Sequence, residues 1–167
     1  DEVFIPVPAS ARRWHAQAAA QIMHAAIDAG IARAALGDAL VLCREHGRPL
    51  REAGVERATD DPYVLEAIGA MSTEVEAAAA LVERGARLLD RAADAFFAGE
   101  QDEAADVAAS IAVGQARIAT AEASLSVSER LFEVANATGS DRRLGLDRHW
   151  RNARAHTTHD PLAYKFK

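Results

Sequence analysis

Apolar residues recur every three or four positions along most of the chain, which is the period of one face of an α-helix. The first such stretch follows Ser10, a preferred N-cap residue, and continues to about His46, where Gly47 and Pro49 form a helix stop signal. Its apolar stripe consists of Trp14, Ala18, Ile22, Ala25, Ala29 and Ala32. The pattern predicts one long helix from Ser10 to about His46.

Two glycines, Gly30 and Gly37, lie within this first helix. Each would weaken an isolated helix by roughly 1 kcal/mol relative to alanine. We favour close approach of a neighbouring helix as the reason for them over contact with a ligand.

A second long helix is predicted downstream of a loop-like or weakly helical segment that spans residues 49–59. It opens at Asp60 and Asp61, whose charges suit the positive end of a helix, with Pro62 in the first turn. The apolar stripe continues to Gly99 and consists of Val64, Ile68, Met71, Val75, Ala79, Val82, Leu89 and Phe96.

A third long helix is predicted to begin at residues 101–103. Its apolar positions are separated by alternating steps of four and three: Val107, Ile111, Gly114, Ile118, Ala121, Leu125, Ser128 and Phe132. That alternation is the 3.5-residue seam of a helix bundle. Gly139 and Ser140 end the pattern, and Asp141 can cap a short fourth helix through about Arg154.

The connections between these helices are short, so neighbouring helices should run antiparallel. Three helices of about 35 residues would each span roughly 50 Å at 1.5 Å per residue. The sequence therefore predicts an all-α protein, an up-down helical bundle of three long helices plus a short fourth helix.

Composition supports helices and excludes several classes of protein. Hydrophobic residues make up 50% of the chain but aromatic residues only 5%, which favours helices over sheets. The net charge of −6 argues against a general nucleic-acid binder, and no apolar run is long enough to predict a membrane span. The single cysteine, Cys43, excludes an internal disulfide and is expected in the core. We therefore expect a cytoplasmic protein.

The start of the chain has no initiator methionine and contains Pro6 and Pro8. We expect residues 1–9 to be an extended connector from a missing upstream part, and residues 10–167 to form one helical-bundle domain. Alanine lies on more than one face of the helices, which favours packing against other subunits. A homo-oligomer, a tetramer, is expected.

Chemically active side chains are concentrated at the C-terminal end, where His149, Trp150, His156 and His159 lie within about four helical turns and Asp160 follows. Because His156 and His159 are three residues apart, they share a face if the helix continues that far. We favour a hydrogen-bonding or proton-donating histidine pair in a cleft over a solvated polar tail. A metal site is disfavoured, since no second cluster at ligand spacing is evident.

The same segment carries Arg148, Arg151 and Arg154, which are spaced by three along one helical face. They could bind phosphate, or they could form a row of surface or intersubunit salt bridges, and both interpretations remain open. The remaining histidines show no partner pattern and are expected to be structural or exposed: His15, His24 and His46.

The stretch 150–161, WRNARAHTTHDP, resembles the C-terminal signature of flavin-dependent monooxygenases built on the acyl-CoA dehydrogenase fold. Dibenzothiophene monooxygenases and related sulfur-acquisition oxidoreductases are the members that it resembles. Residues 44–50 and 132–137 are similar to two other segments of the family. The resemblance covers essentially the whole chain and corresponds to the C-terminal helical domain, without the N-terminal helical and middle β-domains.

The resemblance implies an enzyme that uses reduced flavin and oxygen on a small or aromatic substrate, with an organosulfur compound as the expected class. It implies that His159, with His156 beside it, faces the reacting flavin, where an imidazole can donate a hydrogen bond and shuttle a proton. Asp160 falls where acyl-CoA dehydrogenases carry their glutamate base. Arg44 matches the family's flavin-contacting arginine, and Arg48 is the alternative. FMN is expected rather than FAD, reduced by a partner flavin reductase.

Two other functions remain open. An acyl-CoA dehydrogenase would oxidise an acyl thioester with FAD and use Asp160 as its base. That side chain is one methylene shorter than glutamate, and a base misplaced by 1 Å can cost about 10²-fold in rate. A non-catalytic helical oligomerisation module is the second alternative. The isolated fragment is expected to be inactive.

Overall fold

The computed structural model describes residues 14–100 and 102–159, most of which lie in helices. The four α-helices within these ranges are α1 (Trp14–Glu45), α2 (Pro62–Phe97), α3 (Glu103–Ala135) and α4 (Asp147–His159). They form the predicted bundle of three long helices and a short fourth. The expected connector over residues 1–9 and the expected N-cap Ser10 lie outside the described residues. None of the described helices is long and apolar enough to cross a membrane.

The core of the bundle is built largely from alanine. Fully buried alanines lie on facing sides of two helices: Ala25, Ala32, Ala35 and Ala39 of α1, and Ala109, Ala112 and Ala116 of α3. Side chains this small let the helices pack closely, so that dispersion contacts involve backbone atoms as well. Cys43 is buried in the same core, as predicted, and this burial raises the pKa of its thiol.

Tight helix packing occurs at Gly85 rather than at the two glycines of α1. A Cβ atom on Gly85 would lie 3.0 Å from Ile22 Cδ1 and 3.4 Å from the carbonyl oxygen of Ala112. Nothing lies within 4 Å of the corresponding position at Gly30 or Gly37. The predicted close approach at Gly30 and Gly37 is therefore wrong, and α2 instead packs against both α1 and α3 at Gly85.

The buried face of α3 differs from the predicted seam in the first half of the helix. Val107 and Ile111 are 51% and 54% exposed, whereas Ala109 and Ala112 are fully buried. Both faces carry apolar residues at helical spacing, and the one with smaller side chains permits closer packing. Farther along α3, the buried face also contains polar residues: Arg117, Thr120, Ser124 and Ser128.

The connector between α1 and α2 is held by the fully buried side chain of Asp61. Its Oδ1 accepts a hydrogen bond from the Tyr63 backbone N–H at 2.9 Å, which caps α2, and its Oδ2 accepts one from the Leu50 N–H at 2.7 Å. The connector contains two short 3₁₀ turns, Arg51–Ala53 and Ala58–Asp60. Both the acidic start of the second helix and the weakly helical connector are thus confirmed.

The fourth helix begins later than predicted, at Asp147 rather than directly after Asp141. The Asp141 carboxylate accepts hydrogen bonds from the backbone N–H and the guanidinium of Arg143. The guanidinium bonds, followed by the backbone bond, hold the pKa of the Asp141 carboxyl below its usual range. Because these donors occupy the carboxylate, it closes a turn instead of capping a helix. At its other end α4 continues past Arg154 to His159.

Replacing Asp61 with alanine should lower the free energy of unfolding by about 2 kcal/mol. The substitution removes a helix cap worth about 1 kcal/mol and also leaves the Leu50 N–H without its acceptor. Urea denaturation, compared at constant slope, measures the change.

The matched control is Asp102→Ala, because Asp102 caps α3 at an exposed position, where its side chain accepts a hydrogen bond from the Ala105 N–H at 3.0 Å. Its removal should cost about 1 kcal/mol or less. Equal losses for the two variants would contradict the bridging role of Asp61.

Candidate functional site

His156, on the inner face of α4, is joined to Asp28 of α1. Its Nδ1 lies 2.7 Å from Asp28 Oδ1, and its side chain is 17% exposed. Its other ring nitrogen, Nε2, lies 2.9 Å from Nδ1 of His24, one helical turn before Asp28. The imidazole that His156 contacts is therefore His24, whereas the sequence paired His156 with His159, and that pairing stays a prediction.

The Asp28 carboxylate is fully buried, and its second oxygen accepts a hydrogen bond from the guanidinium of Arg117 on α3. Arg117 is also fully buried. A buried carboxylate remains charged only when it is paired, because desolvation otherwise costs several kcal/mol. Arg117 and His156 together supply a partner for each oxygen of Asp28. Helices α1, α3 and α4 are thus joined at one carboxylate.

Arg117 uses one nitrogen for this contact, while its Nε and Nη2 have no hydrogen-bond partner among the described residues. The buried hydroxyls that follow on α3 cannot serve, since they donate to carbonyls of their own helix: Thr120, Ser124 and Ser128. A buried guanidinium that is only partly paired is costly in an alanine-rich core. Its presence there favours an electrostatic role over simple packing.

A second aspartate–histidine pair fixes the other end of α4. His149 is 5% exposed, and its Nε2 lies 2.7 Å from Oδ2 of Asp38 on α1. Arg148 donates to the same oxygen. Since Asp38 follows Asp28 along α1 and His149 precedes His156 along α4, the two helices run antiparallel with a polar contact near each end.

The arginine row of α4 forms salt bridges at two of its three positions. Arg148 pairs with Asp38, and Arg151 pairs with Asp147 one turn earlier in α4, at 2.9 Å. The interpretation as salt bridges to another helix is therefore confirmed at Arg148, whereas the Arg151 pair lies within α4 itself.

The predicted catalytic residues beyond His156 lie at the limit of the described chain. His159 is the last residue of α4, three positions after His156. Asp160 lies outside the described residues. The catalytic roles assigned to His159 and Asp160 stay predictions.

The predicted cofactor-binding arginines lie at the far end of α1. Arg44 is in its last turn and Arg48 is in the following loop, and both are exposed. Arg44 follows Asp28 by 16 residues, which corresponds to about 24 Å along the helix at 1.5 Å per residue. The predicted cofactor-binding arginines are therefore far from the histidine site around Asp28 within one chain.

Candidate metal ligands do not form a cluster in the part of the chain that the structure describes. Across residues 14–100 and 102–159, no group of three or more histidine, cysteine, aspartate or glutamate side chains could hold a metal ion.

Sequence reasoning missed three members of this site: His24, Asp28 and Arg117. One signal was available for two of them. Asp28 falls between Ala25 and Ala32 at the spacing of the buried stripe, and Arg117 follows the buried Ala116. Charges of opposite sign at core positions of two packed helices predict a buried ion pair.

A family model with the description "Acyl-CoA dehydrogenase, C-terminal domain" matches residues 22–163 of the chain. Among curated proteins, a dibenzothiophene monooxygenase from Mycolicibacterium goodii is 39% identical over 145 residues, which is 87% of this chain and 34% of the relative. The probable FMNH2-dependent monooxygenase SfnC from Pseudomonas putida is 36% identical and is covered over 36% of its length.

Among solved structures, the methanesulfinate monooxygenase MsuC from Pseudomonas fluorescens matches with a TM-score of 0.78 and 36% sequence identity. The match covers 88% of this chain and 38% of that protein. The chain thus spans about a third of the length of these relatives.

Replacing Arg117 with methionine should destabilise the protein by about 3–5 kcal/mol, because Asp28 would keep a buried charge without its main counter-ion. Chemical denaturation of the purified variant gives the change in the free energy of unfolding.

Arg87→Met is the matched control, since Arg87 forms an exposed pair with Glu83 four residues away. That pair should be worth less than about 1 kcal/mol. If both variants lose the same stability, the Asp28–Arg117 pair does not hold the three helices together.

Proposed function

Because the chain belongs to the family of acyl-CoA dehydrogenase C-terminal domains, we propose that it is the C-terminal domain of a flavin-dependent monooxygenase. Relatives named as monooxygenases match 87% of the chain at 36–39% identity, and one of them is named FMNH2-dependent. The structural observation that carries the proposal is the imidazole of His156, linked to Asp28 and His24 next to the C-terminal end of α4. It provides a proton-handling group within residues 150–161, the segment that carries the family signature.

The proposed reaction transfers one oxygen atom of O₂ to the substrate and releases the other as water. FMN in its reduced form, when bound, supplies the two electrons for this reaction. A flavin reductase would deliver the reduced FMN. The substrate would be a small or aromatic organosulfur compound, as the names of the dibenzothiophene and methanesulfinate enzymes suggest.

The residues at the end of α4 would handle protons. His159 would donate a hydrogen bond to the developing oxyanion during oxygen transfer, and His156 would hold or return the proton through its contacts with Asp28 and His24. Asp160, at the position where acyl-CoA dehydrogenases carry their glutamate base, would belong to the same catalytic set. The contacts with Asp28 and His24 would hold the His156 ring in one orientation next to His159.

The flavin phosphate would be held by Arg44, with Arg48 as the alternative, and both are exposed and available for an anion. Their separation from Asp28 of about 24 Å along α1 favours contact with the flavin of a neighbouring copy. The assembly would then be a homo-oligomer, a tetramer. FMN is preferred over FAD because SfnC is named FMNH2-dependent. A cytoplasmic location is part of the proposal and agrees with the unpaired thiol of Cys43.

Replacing His159 with alanine in the intact enzyme should lower oxygenation about 10²-fold or more, the usual contribution of a positioned proton donor. Sulfoxide or sulfinate oxidation products are measured with reduced FMN and oxygen, and FMN binding is measured in parallel. Arg151→Ala, which removes an exposed ion pair on the same helix, should leave the rate unchanged.

A wild-type rate in His159→Ala would remove that residue from the proposal. Oxidation of an acyl thioester by the intact enzyme without oxygen would contradict the monooxygenase function as a whole. Absence of flavin binding by the intact protein would favour an oligomerisation module.

Arg44→Ala should weaken FMN binding to the intact protein about 10-fold or more, the loss expected for one charge-assisted hydrogen bond to phosphate. If Arg48 is the phosphate contact instead, Arg48→Ala should show this loss. Riboflavin, which lacks the phosphate, should bind each variant and the wild type equally. Flavin fluorescence titrations measure both ligands, with Arg87→Ala as a control at an exposed arginine of α2. An equal loss of FMN and riboflavin would contradict a phosphate contact.

A further inference from the structure

We propose that Asp28 is a positioning residue, which fixes the proton positions of the His156 imidazole and thereby makes His24 the proton donor to His156. These three residues of α1 and α4 lie in one chain of hydrogen bonds. The use of this proton in oxygen transfer rests on the proposed function, whereas the positioning itself does not.

The protonation state of Asp28 follows from its pairing with Arg117. Its Oδ2 accepts from Arg117, both side chains are fully buried, and a guanidinium can only donate. The carboxylate paired with this cation is ionised, and an ionised carboxylate can only accept. The 2.7 Å contact between Asp28 Oδ1 and His156 Nδ1 therefore requires a hydrogen on Nδ1 of His156.

The other ring nitrogen of His156, Nε2, then has to be an acceptor. A neutral imidazole with its hydrogen on Nδ1 has a lone pair on Nε2. The 2.9 Å contact between His156 Nε2 and His24 Nδ1 then requires that His24 be the donor. The hydrogen bonds run in one direction, from His24 to His156 to Asp28.

This direction defines one proton transfer. When His24 is an imidazolium, its Nδ1–H bond breaks and the proton forms a new bond at His156 Nε2. His24 becomes neutral and His156 becomes the imidazolium, so one positive charge moves and no electrons are exchanged. The Asp28 carboxylate stabilises that imidazolium at Nδ1, as the aspartate of a serine protease triad does for its histidine.

Attachment of α4 alone does not explain the Asp28 contact, as comparison with Asp38 and His149 illustrates. That pair also joins α1 to α4, at 2.7 Å, and His149 is more deeply buried than His156. Within the described residues, however, His149 contacts no second imidazole. The Asp28 pair is distinguished by a second, titratable ring on the far side of the histidine.

Asp28→Asn provides a direct test, because the amide must place its oxygen toward the Arg117 donor. Its NH₂ group then faces His156 Nδ1, which has to become an acceptor. His156 should move to the tautomer with its hydrogen on Nε2. Asp38→Asn, the matched control on the same helix, should leave the His156 tautomer unchanged.

The tautomers are read from ¹⁵N spectra of the histidine-labelled 167-residue chain near pH 8.5, above the ordinary histidine pKa of about 6.5. The His156 signals are assigned by their loss in His156→Gln. The wild type should show a protonated Nδ1 and an unprotonated Nε2, and Asp28→Asn should show the reverse. An unchanged tautomer in Asp28→Asn, or an equal change in Asp38→Asn, would overturn the positioning role.

The kinetic arm uses the intact enzyme with reduced FMN and oxygen. Asp28→Asn and His24→Gln should each lower kcat about 10²-fold, with KM and FMN binding retained, since each change alters the protonation of the His156 imidazole that the proposed chemistry uses. A reversed tautomer with an unchanged kcat would overturn this link between the tautomer and the chemical step. If the wild-type enzyme oxygenates no organosulfur substrate, the proposed function fails, and the spectra still decide whether Asp28 positions His156.

Discussion

The buried ion pair between Asp28 and Arg117 is the contact on which the arrangement of the bundle depends. Most of the core is alanine, which packs closely but provides little directional specificity. A fully buried carboxylate, by contrast, requires a partner at a defined place, because leaving it unpaired costs several kcal/mol. Here that requirement selects one arrangement of α1 against α3, and the second carboxylate oxygen selects the position of α4 through His156.

Polar contacts near both ends of α4 therefore fix its position against α1. Asp38 holds His149 and Arg148 at the start of the helix, and Asp28 holds His156 toward its end. The C-terminal signature of the family lies on this helix and immediately after it. A core contact made far from the signature in sequence thus orients the residues that the proposed chemistry needs.

The sequence was sufficient for the architecture, because helix starts, helix stops and apolar spacing are local properties. For example, Asp61 and Pro62 alone are enough to predict the start of α2. The rotation of α3 was not predictable in this way, since Val107 and Ile111 compete with alanines on the neighbouring face and only packing decides between them. The predicted cap at Asp141 is wrong because Arg143, two residues later, supplies the hydrogen-bond donors that the carboxylate accepts. His156 was predicted as a site residue, but its partners His24 and Asp28 lie more than a hundred residues earlier in the sequence, so no local pattern indicates these contacts.

Neutron diffraction from crystals of the protein exchanged into deuterated water would test the central claim most directly, since it locates the hydrogens of the Asp28–His156–His24 chain. We predict deuterium on Nδ1 of His156 and on Nδ1 of His24, with none on the Asp28 carboxylate or on Nε2 of a neutral His156. Deuterium on Asp28, or on Nε2 of His156 in place of Nδ1, would contradict an ionised carboxylate that positions the histidine.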